Sequence, residues 1–335
     1  MDLIASQIQR VFGIQVDSIQ NLKGGHINAS FFVKEKNGDL SVIQKLNQHV
    51  FPMWKNIEQN LLLTQSVLRQ HHSLGLIPQF YMVNGKIHQE QFDGIWRRME
   101  YIPSKFGGHS VDSSSMAFYA AKSFAQFSQY LSVSFDSLNW KEVIPQFHHL
   151  GSRTSQFENA IKNANLQRRE AAETVVQGYQ NGLSRLGKVV PILNFRRITH
   201  NDAKVSNVLF RNGDLNDAVV IDLDTVMPGS VLFDLGDLIR TFVPQKAEGD
   251  FSNSRQVVQQ NILESLMAGY LEGWNNQLTS EEKKHLPFAG SYMTLLIGLR
   301  FLIDYLENDH YFKVESENQN LLRAMNQLEL FELLL

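Results

Sequence analysis

The chain has 335 residues, with 31 Lys and Arg against 34 Asp and Glu, a net charge of −3 and 43% hydrophobic residues. This length predicts two domains, or one domain in two lobes, and excludes a peptide-sized fold. Without a basic excess, nucleic acid is not an expected partner. The chain contains no cysteine, which excludes disulfides and thiolate metal sites and is compatible with a reducing, cytoplasmic location.

The first hundred residues are predicted to form a small antiparallel β lobe that holds one helix. Apolar residues recur at helical spacing in the first 14 residues, and no basic region precedes them, which indicates a helix and not a signal peptide. The runs 31–33 and 42–43 flank Asn37-Gly38, a strong hairpin signal. A helix and three short strands are then expected over residues 53–71, 79–83, 87–91 and 95–101.

The remainder is predicted to be a larger, mostly helical lobe. Only one hairpin interrupts it, with strands at 208–210 and 218–221. Arg300 and Asp304 divide the most apolar stretch before it reaches the length of a membrane span, so we expect no membrane segment. The stretches with helical periodicity are 116–130, 157–186, 257–274 and 291–306, and a Leu-rich helix is expected at the C-terminus.

The polar residues at the ends of this hairpin indicate phosphoryl transfer. The segment THNDAKVSN, residues 199–207, precedes the first strand, and Asp222 follows the second strand in VVIDLD. Pairing of the strands brings Asp202, Asn207 and Asp222 into one site. Carboxylate and amide oxygens bind Mg²⁺ together with the phosphates of a substrate, and a further carboxylate can deprotonate an acceptor hydroxyl. The alternative is an ordinary hairpin whose Asp and Asn residues stabilise turns.

The two segments resemble the His-x-Asp-x-x-x-x-Asn loop and the metal-binding Asp of the protein-kinase-like superfamily, in the branch of aminoglycoside phosphotransferases and choline kinases. The resemblance implies an α+β, bilobal protein-kinase-like fold, with a nucleotide-binding lobe over 1–102 and a catalytic and acceptor-binding lobe over 103–335. It implies ATP and Mg²⁺ as cofactors. Asp202 would be the base, Lys204 would touch the transferred phosphate, Asn207 and Asp222 would hold Mg²⁺, and His200 would brace the loop.

The same resemblance implies a nucleotide site in the first lobe. Gly24 and Gly25 lie where a loop approaches phosphates, although two neighbouring glycines also suit an ordinary turn. Lys45, in VIQK, falls where kinases place a phosphate-binding lysine, and Glu58 on the next helix is the expected partner of Lys45. The end of the last strand, with Met99 and Tyr101, would offer backbone groups to adenine.

Four further segments resemble the anomeric sugar kinases called N-acetylhexosamine 1-kinases. They are GGHIN, HVF, HNDAKVSNVLF with VVIDLDTVMPGSVLFDLGDLIRT, and RFLIDYLENDHYFK. In such enzymes ATP phosphorylates the C1 hydroxyl of N-acetylglucosamine or N-acetylgalactosamine. The resemblance then implies that His26, Asp202, Arg300 and Tyr311 contact the sugar.

Three alternatives stay open at this point. Arg300 and Asp304 have i, i+4 spacing and could form a surface ion pair without a ligand. The acidic residues between 304 and 317 would suit a cationic acceptor, so the substrate could be an aminoglycoside, choline, homoserine or another amino alcohol. A catalytically silent nucleotide-binding scaffold is the third alternative, although Lys45, Asp202, Asn207 and Asp222 are all present.

Overall fold

The computed structural model describes residues 3–22, 27–91, 93–104, 113–189, 197–252 and 255–335. Its N-terminal part is an antiparallel sheet with two helices, and the rest is mainly helical, which confirms the predicted α+β fold class. The boundary predicted after residue 102 falls between the last strand of this sheet and the next helix. It stays a prediction, because part of that connection lies outside the described residues.

The N-terminal sheet is antiparallel throughout. Its strands run in the order β1-β2-β3-β6-β4, and β5 also pairs with β6. The Asn37-Gly38 turn joins β2 to β3 as predicted, with Gly38 at φ 94°, a left-handed conformation that glycine adopts without strain. The elements are α1 (Leu3–Phe12), β1 (Val16–Asn21), β2 (Ala29–Glu35), β3 (Leu40–Lys45), α2 (Trp54–Gln70), β4 (Phe80–Tyr81), β5 (His88–Gln91) and β6 (Gly94–Glu100).

The two faces of this sheet pack against different cores. Ile43 and Trp96 belong to a small core that α1 covers, whereas Val42 and Met99 pack into the main core of the protein. Because successive side chains of a strand point to opposite faces, this division fixes the face of every other residue in β3 and β6. The same division determines which basic residue of these two strands faces the main core.

The helical part surrounds a second, smaller set of strands. The predicted hairpin is present as β8 and β9, while β7 and β10 form a separate antiparallel pair. The strands are β7 (Arg197–Thr199), β8 (Val208–Phe210), β9 (Ala218–Val220) and β10 (Met227–Gly229). The helices are α3 (Ser114–Ser132), α4 (Leu150–Asn163), α5 (Leu166–Ala171), α6 (Glu173–Val189), α7 (Val231–Phe242), α8 (Gln260–Gly273), α9 (Ser280–His285), α10 (Ala289–Leu306) and α11 (Gln319–Leu334).

The helical stretch predicted over 157–186 is in fact divided among α4, α5 and α6. Ala164 is extended, with ψ 144°, and ends α4. Asn165 then caps α5 by accepting a hydrogen bond from the backbone N–H of Arg168 at 2.9 Å. An Asn side chain satisfies an otherwise unpaired amide at a helix start, so the division has a local cause.

The helix α10 lies at the centre of the helical part. The segment Ser280–Leu306 is long and apolar enough to cross a membrane, but 83% of its most apolar window is buried inside the protein. A helix that is apolar on all sides is typical of the core of a large domain. Packing against α7, α11 and α4 accounts for this apolarity.

Close packing of α3 against α8 predicts a stability difference between two glycine substitutions. A Cβ at Gly269 would lie 2.1 Å from the Phe118 carbonyl oxygen, whereas a Cβ at Gly187, in the exposed part of α6, would meet no atom within 4 Å. We expect Gly269→Ala to lower the free energy of unfolding by about 1–3 kcal/mol because the helices must separate. Gly187→Ala, the control, should raise it by roughly 0.5–1 kcal/mol. Urea denaturation measures both, and equal effects would contradict the described α3–α8 contact.

Candidate active site

The loop that carries Asp202 is held between two strands. It follows β7, which pairs with β10 through Thr199 and Met227. Asn201 has φ 62°, a left-handed conformation that Asn tolerates better than most residues. Its side-chain amide donates hydrogen bonds to the carbonyls of Thr199, Thr225 and Met227, at 3.0, 3.1 and 3.2 Å. The loop is therefore tied to both sides of the strand pair.

A fully buried carboxylate anchors the same loop. Asp234, in the first turn of α7, accepts hydrogen bonds from the backbone N–H groups of His200 and Asn201 at 2.9 and 2.7 Å, and from the Ser128 hydroxyl at 3.0 Å. Burial raises the pKa of Asp234, while His200 and these hydrogen bonds oppose that shift. Asp234 therefore holds the backbone of the loop in place.

His200 links this loop to the second motif. Its Nδ1 accepts a hydrogen bond from the Asp202 N–H at 3.2 Å, which assigns the proton to Nε2 and makes Nε2 the donor to the Ile221 carbonyl at 2.9 Å. Burial lowers the pKa of His200, so the ring is neutral. The predicted bracing role of His200 agrees with these contacts, because Ile221 immediately precedes Asp222.

Asp202 has one engaged and one available oxygen. Oδ2 accepts hydrogen bonds from Lys204 Nζ at 2.7 Å and from Asn207 Nδ2 at 2.8 Å. No donor in the described part of the chain lies within hydrogen-bond distance of Oδ1. Burial acts to raise the pKa of Asp202, but Lys204, His200 and Asn207 outweigh it and hold the pKa below its usual value. The carboxylate is therefore ionised at neutral pH, with one oxygen able to accept a proton.

Asp222 is an exposed carboxylate in an acidic environment. It has φ 60°, and none of the described residues donates a hydrogen bond to its side chain. Desolvation by the surrounding protein, followed by the neighbouring Asp224 and Asp202 carboxylates, raises its pKa to about 6, although Lys204 and Arg97 oppose the shift. A divalent cation beside Asp222 would relieve this accumulation of negative charge.

The donor set fits an ion of the Mg²⁺ type. Asn207 donates its side-chain N–H to Asp202, which leaves the amide oxygen for a cation, with only the Ser206 hydroxyl at 3.5 Å. Among the residues described, no three His, Asp or Glu side chains could enclose a metal ion by themselves. Mg²⁺ commonly binds one or two protein oxygens and completes its shell with water and phosphate oxygens. The arrangement is therefore compatible with Mg²⁺ bound together with a phosphate-bearing ligand.

The structure does not bring Lys45 and Glu58 together. Lys45 lies on the same face of β3 as Ile43, toward the small core, with its Nζ 3.5 Å from Asp93 Oδ2 and 5.3 Å from the centre of the Trp96 ring. Glu58 accepts hydrogen bonds from the backbone N–H groups of Ile87 and His88 and contacts the His88 ring. The predicted pair is thus replaced by two separate structural contacts.

The residue that faces the main core from β3 is Gln44, one position earlier. It lies opposite Arg97 of β6, whose guanidinium forms a bidentate ion pair with Asp224. Both side chains of that ion pair are 2% exposed. Sequence reasoning missed Arg97, because nothing in the run WRRME distinguishes it from Arg98.

The other nucleotide-site residues are placed as follows. Met99 is buried on the side of β6 that faces the main core. Tyr101, just beyond the strand, packs edge-on against Phe32 with ring centres 4.7 Å apart. The adenine contact stays a prediction. Gly24, Gly25 and the sugar-contact candidate His26 lie outside the described residues.

Arg300 and Tyr311 meet in an aromatic cluster next to the catalytic loop. The Arg300 guanidinium lies 5.0 Å from the Phe147 ring centre, 5.4 Å from Tyr311 and 5.5 Å from Phe312, and Nη2 donates to the Tyr311 hydroxyl at 3.3 Å. His148, adjacent to Phe147, is within hydrogen-bond distance of the Asn201 carbonyl, at 2.8 Å. His148 therefore connects the cluster to the loop that carries Asp202.

Arg300 does not form the alternative ion pair with Asp304. The Asp304 carboxylate is 4% exposed and accepts hydrogen bonds from the backbone N–H groups of Tyr311 and Phe312, at 2.7 and 2.9 Å, and from the Asn320 amide at 2.9 Å. Its function is to shape the segment that presents Tyr311. No carboxylate in the described part of the chain forms an ion pair with Arg300.

A second arginine, missed by sequence reasoning, belongs to this cluster. Arg153 of α4 donates through Nη2 to the Phe147 carbonyl at 3.1 Å, and its buried Nε has no hydrogen-bond partner among the described residues. Burial and the nearby Arg300 lower its pKa to about 10. The guanidinium is therefore still charged at neutral pH. We call Phe147, Arg153, Arg300, Tyr311 and Phe312 the arginine–aromatic cluster.

A sequence model of the phosphotransferase enzyme family (APH) matches residues 18–275. Three similar solved structures support the same fold. Spectinomycin phosphotransferase APH(9)-Ia in complex with ADP and spectinomycin has 13% identity and a TM-score of 0.61, covering 99% of this chain and 97% of that one. An aminoglycoside phosphotransferase from Alicyclobacillus acidocaldarius has 13% identity and a TM-score of 0.61, with coverages of 97% and 93%. The amicoumacin kinase hAmiN, in complex with AMP-PNP, Ca²⁺ and Ami, has 11% identity and a TM-score of 0.61, with coverages of 98% and 92%.

The family match covers more than half of the chain, and it includes the catalytic loop, Asp222 and most of the N-terminal sheet. The solved structures agree with it over nearly the whole chain, at the level of the fold. The protein belongs to the phosphotransferase enzyme family.

Proposed function

We propose that this phosphotransferase transfers the γ-phosphoryl group of ATP to the anomeric C1 hydroxyl of an N-acetylhexosamine, N-acetylglucosamine or N-acetylgalactosamine, and releases the sugar 1-phosphate and ADP. The observation that carries this proposal is the arginine–aromatic cluster beside Asp202. Aromatic rings with hydrogen-bond donors suit the apolar faces and oxygen atoms of a sugar. The resemblance of four sequence segments to N-acetylhexosamine 1-kinases supports the same assignment.

The charge of the cluster favours an uncharged acceptor over a cationic one. Arg153 and Arg300 carry positive charge there without a carboxylate partner among the described residues. Two of the five acidic residues that suggested a cationic acceptor are engaged elsewhere, and the other three point to solvent. Asp304 binds backbone amides, Asp309 forms an ion pair with Arg168 at 2.6 Å, and the Glu residues of that segment are exposed. An aminoglycoside or choline would therefore meet like charge.

The reaction assigns a role to each residue of the catalytic loop. Asp202 would accept the proton of the acceptor hydroxyl at Oδ1, and Lys204, held on Oδ2, would contact the transferred phosphoryl group. Asp222 and the Asn207 amide oxygen would hold Mg²⁺, which, when bound, neutralises charge on the phosphates. A carboxylate with a lowered pKa is a weak base, and an anomeric hydroxyl, more acidic than an ordinary alcohol, is a suitable partner for it.

The first test concerns the base. Asp202→Asn keeps the size of the side chain and removes proton acceptance, so we expect kcat to fall roughly 10²–10⁴-fold. Affinity for ADP, measured by isothermal titration calorimetry, should change less than about twofold, because the loop contacts through Asp234 are unaffected. A variant that turns over at nearly the original rate would show that another group removes the proton.

The second test identifies the acceptor. ADP release is measured with purified protein, ATP and Mg²⁺ over a panel of N-acetylglucosamine, N-acetylgalactosamine, glucose, glucosamine, an aminoglycoside, choline and homoserine. We expect the N-acetylhexosamines to give the highest kcat/KM, with glucosamine at least about tenfold lower because its ammonium meets Arg153 and Arg300. A preference for an aminoglycoside or choline would overturn the sugar assignment. Release of ADP with none of the panel would favour the silent scaffold or an untested acceptor class.

The third test addresses the arginines directly. Arg300→Ala removes charged donors to the acceptor, each worth about 1.5–3 kcal/mol, so the acceptor KM should rise about tenfold or more while the KM for ATP stays constant. Arg153→Met should narrow the preference for N-acetylglucosamine over glucosamine. Arg185→Ala is the matched control: this arginine also lies over an aromatic ring, Phe331 at 5.7 Å, but belongs to the contact of α6 with α11. Unchanged acceptor KM values in all three variants would remove the cluster from the acceptor site.

A further inference from the structure

Among the described residues of the sheet, Arg97 of β6 is a fully buried cation that contacts Asp224, two residues beyond Asp222. Gln44 and Arg97 are direct partners in the register of β3 and β6, on the face that Val42 and Met99 place toward the main core. Lys45 and Trp96 form the next pair, on the opposite face. Because neighbouring residues of a strand point to opposite faces, Lys45 faces the small core and Gln44 faces the main core.

Arg97 is held from both sides. Gln44 Oε1 accepts hydrogen bonds from Arg97 Nε at 2.9 Å and from Nη2 at 2.6 Å. Arg97 in turn binds both carboxylate oxygens of Asp224, which also accepts a hydrogen bond from the Asn28 amide at 2.7 Å. We call Asn28, Gln44, Arg97 and Asp224 the Arg97 cluster. Three of its members come from the N-terminal sheet region, and the fourth lies two residues beyond Asp222.

The geometry of the cluster indicates a role beyond stability. A buried ion pair costs desolvation energy comparable to what it returns, so such a pair is often no more stable than apolar side chains of the same volume. What Arg97 and Asp224 supply is a fixed geometry. A bidentate Arg–carboxylate contact holds one orientation, and here it directs Asp224 toward Arg97 and Asn28 of the sheet region.

We propose that Arg97 is a positioning residue of the nucleotide site: by holding Asp224 against the sheet, it orients the Asp222 carboxylate toward the metal and the phosphates. In this arrangement Arg97 and Asp224 form the buried ion pair next to Asp222, where the sequence predicted an ion pair of Lys45 and Glu58. The inference rests on the proposed role of Asp222 but is independent of the identity of the acceptor.

Arg98 provides a matched control for Arg97. It lies next to Arg97 on β6, faces the other side of the sheet and also forms an ion pair with a carboxylate, Glu35, with side chains 13% and 6% exposed. Arg97→Gln and Arg98→Gln therefore remove the same charge from the same strand. Loss of an ion pair should lower Tm in both variants, and only the Arg97 variant should affect the nucleotide site.

The test measures metal-dependent nucleotide binding and turnover. Binding of ADP is measured by isothermal titration calorimetry with and without Mg²⁺, which needs no acceptor; kcat and the Mg²⁺ concentration for half-maximal rate are measured with the best acceptor. For Arg97→Gln we expect the Mg²⁺-dependent gain in ADP affinity to fall about tenfold and kcat to fall about 10–100-fold, the scale seen when a group that orients a metal ligand is removed. Arg97→Lys, which keeps the charge without the bidentate geometry, should recover part of both. Arg98→Gln should stay within about twofold of the original protein in both.

Other outcomes separate this inference from its alternatives. If Arg97→Gln and Arg98→Gln lower Tm equally and neither changes the Mg²⁺ response, Arg97 is structural and the inference is wrong. A Lys45→Gln variant that loses Mg²⁺-dependent ADP affinity more than Arg97→Gln would return the role to Lys45.

If Arg97→Gln does not fold, Gln44→Leu tests the same cluster. Weaker Mg²⁺-dependent ADP binding by this variant supports the inference, and unchanged binding refutes it. Failure of the acceptor panel would leave the calorimetric result intact.

Discussion

The buried Asp234 carboxylate is the constraint on which the catalytic geometry depends. It accepts two consecutive backbone N–H groups, those of His200 and Asn201, and the left-handed conformation of Asn201 belongs to the kind of turn in which consecutive amides converge on one anion. Asn201 supplies that conformation. Since Asp202 is the next residue, its direction is set by a carboxylate with which it has no direct contact.

The same constraint reaches Asp222, the proposed metal ligand. Once the His200 backbone is fixed, its ring is placed between the Asp202 N–H and the Ile221 carbonyl, and the neutral tautomer satisfies both. The position of Ile221 then determines where Asp222 begins. A protonated His200 would lose the contact with Asp202, so the burial that lowers its pKa also preserves the geometry.

The sequence could predict the fold class, the β2–β3 hairpin, the catalytic hairpin and most helices, because each depends on local periodicity or a local turn. The separation of helices α4 and α5 was also readable, from Asn165, but periodicity alone did not detect it. What the sequence could not supply is the face of a strand residue. In VIQK both Gln44 and Lys45 suit a strand, and only the packing of α1 against Ile43 and Trp96 decides between them.

Competition for partners explains the other differences. Glu58 has the right helix for a contact with a β3 lysine, but β5 offers it two backbone amides and a histidine ring. Asp304 has the spacing for an ion pair with Arg300, but the turn after α10 offers it two amides and Asn320. An amide that would otherwise be unpaired gains more from a carboxylate than an arginine on an aromatic cluster does. Such competition involves residues distant in sequence and requires the fold.

The side chains on the two sides of the loop that carries Asp202 have opposite net charge. Asp202, Asp222 and Asp224 share two cations, Lys204 and Arg97, so this side retains negative charge and suits a metal-bound phosphate chain. On the other side Arg153 and Arg300 are positive. His148 separates the two, and because burial lowers its pKa to about 3 it adds no charge to either side. A molecule that carries a hydroxyl and a carbonyl oxygen a few bonds apart would be complementary to this gradient, with the hydroxyl toward Asp202 and the carbonyl toward the arginines. An N-acetylated sugar has both groups, whereas a free amino sugar replaces the carbonyl oxygen with a cation.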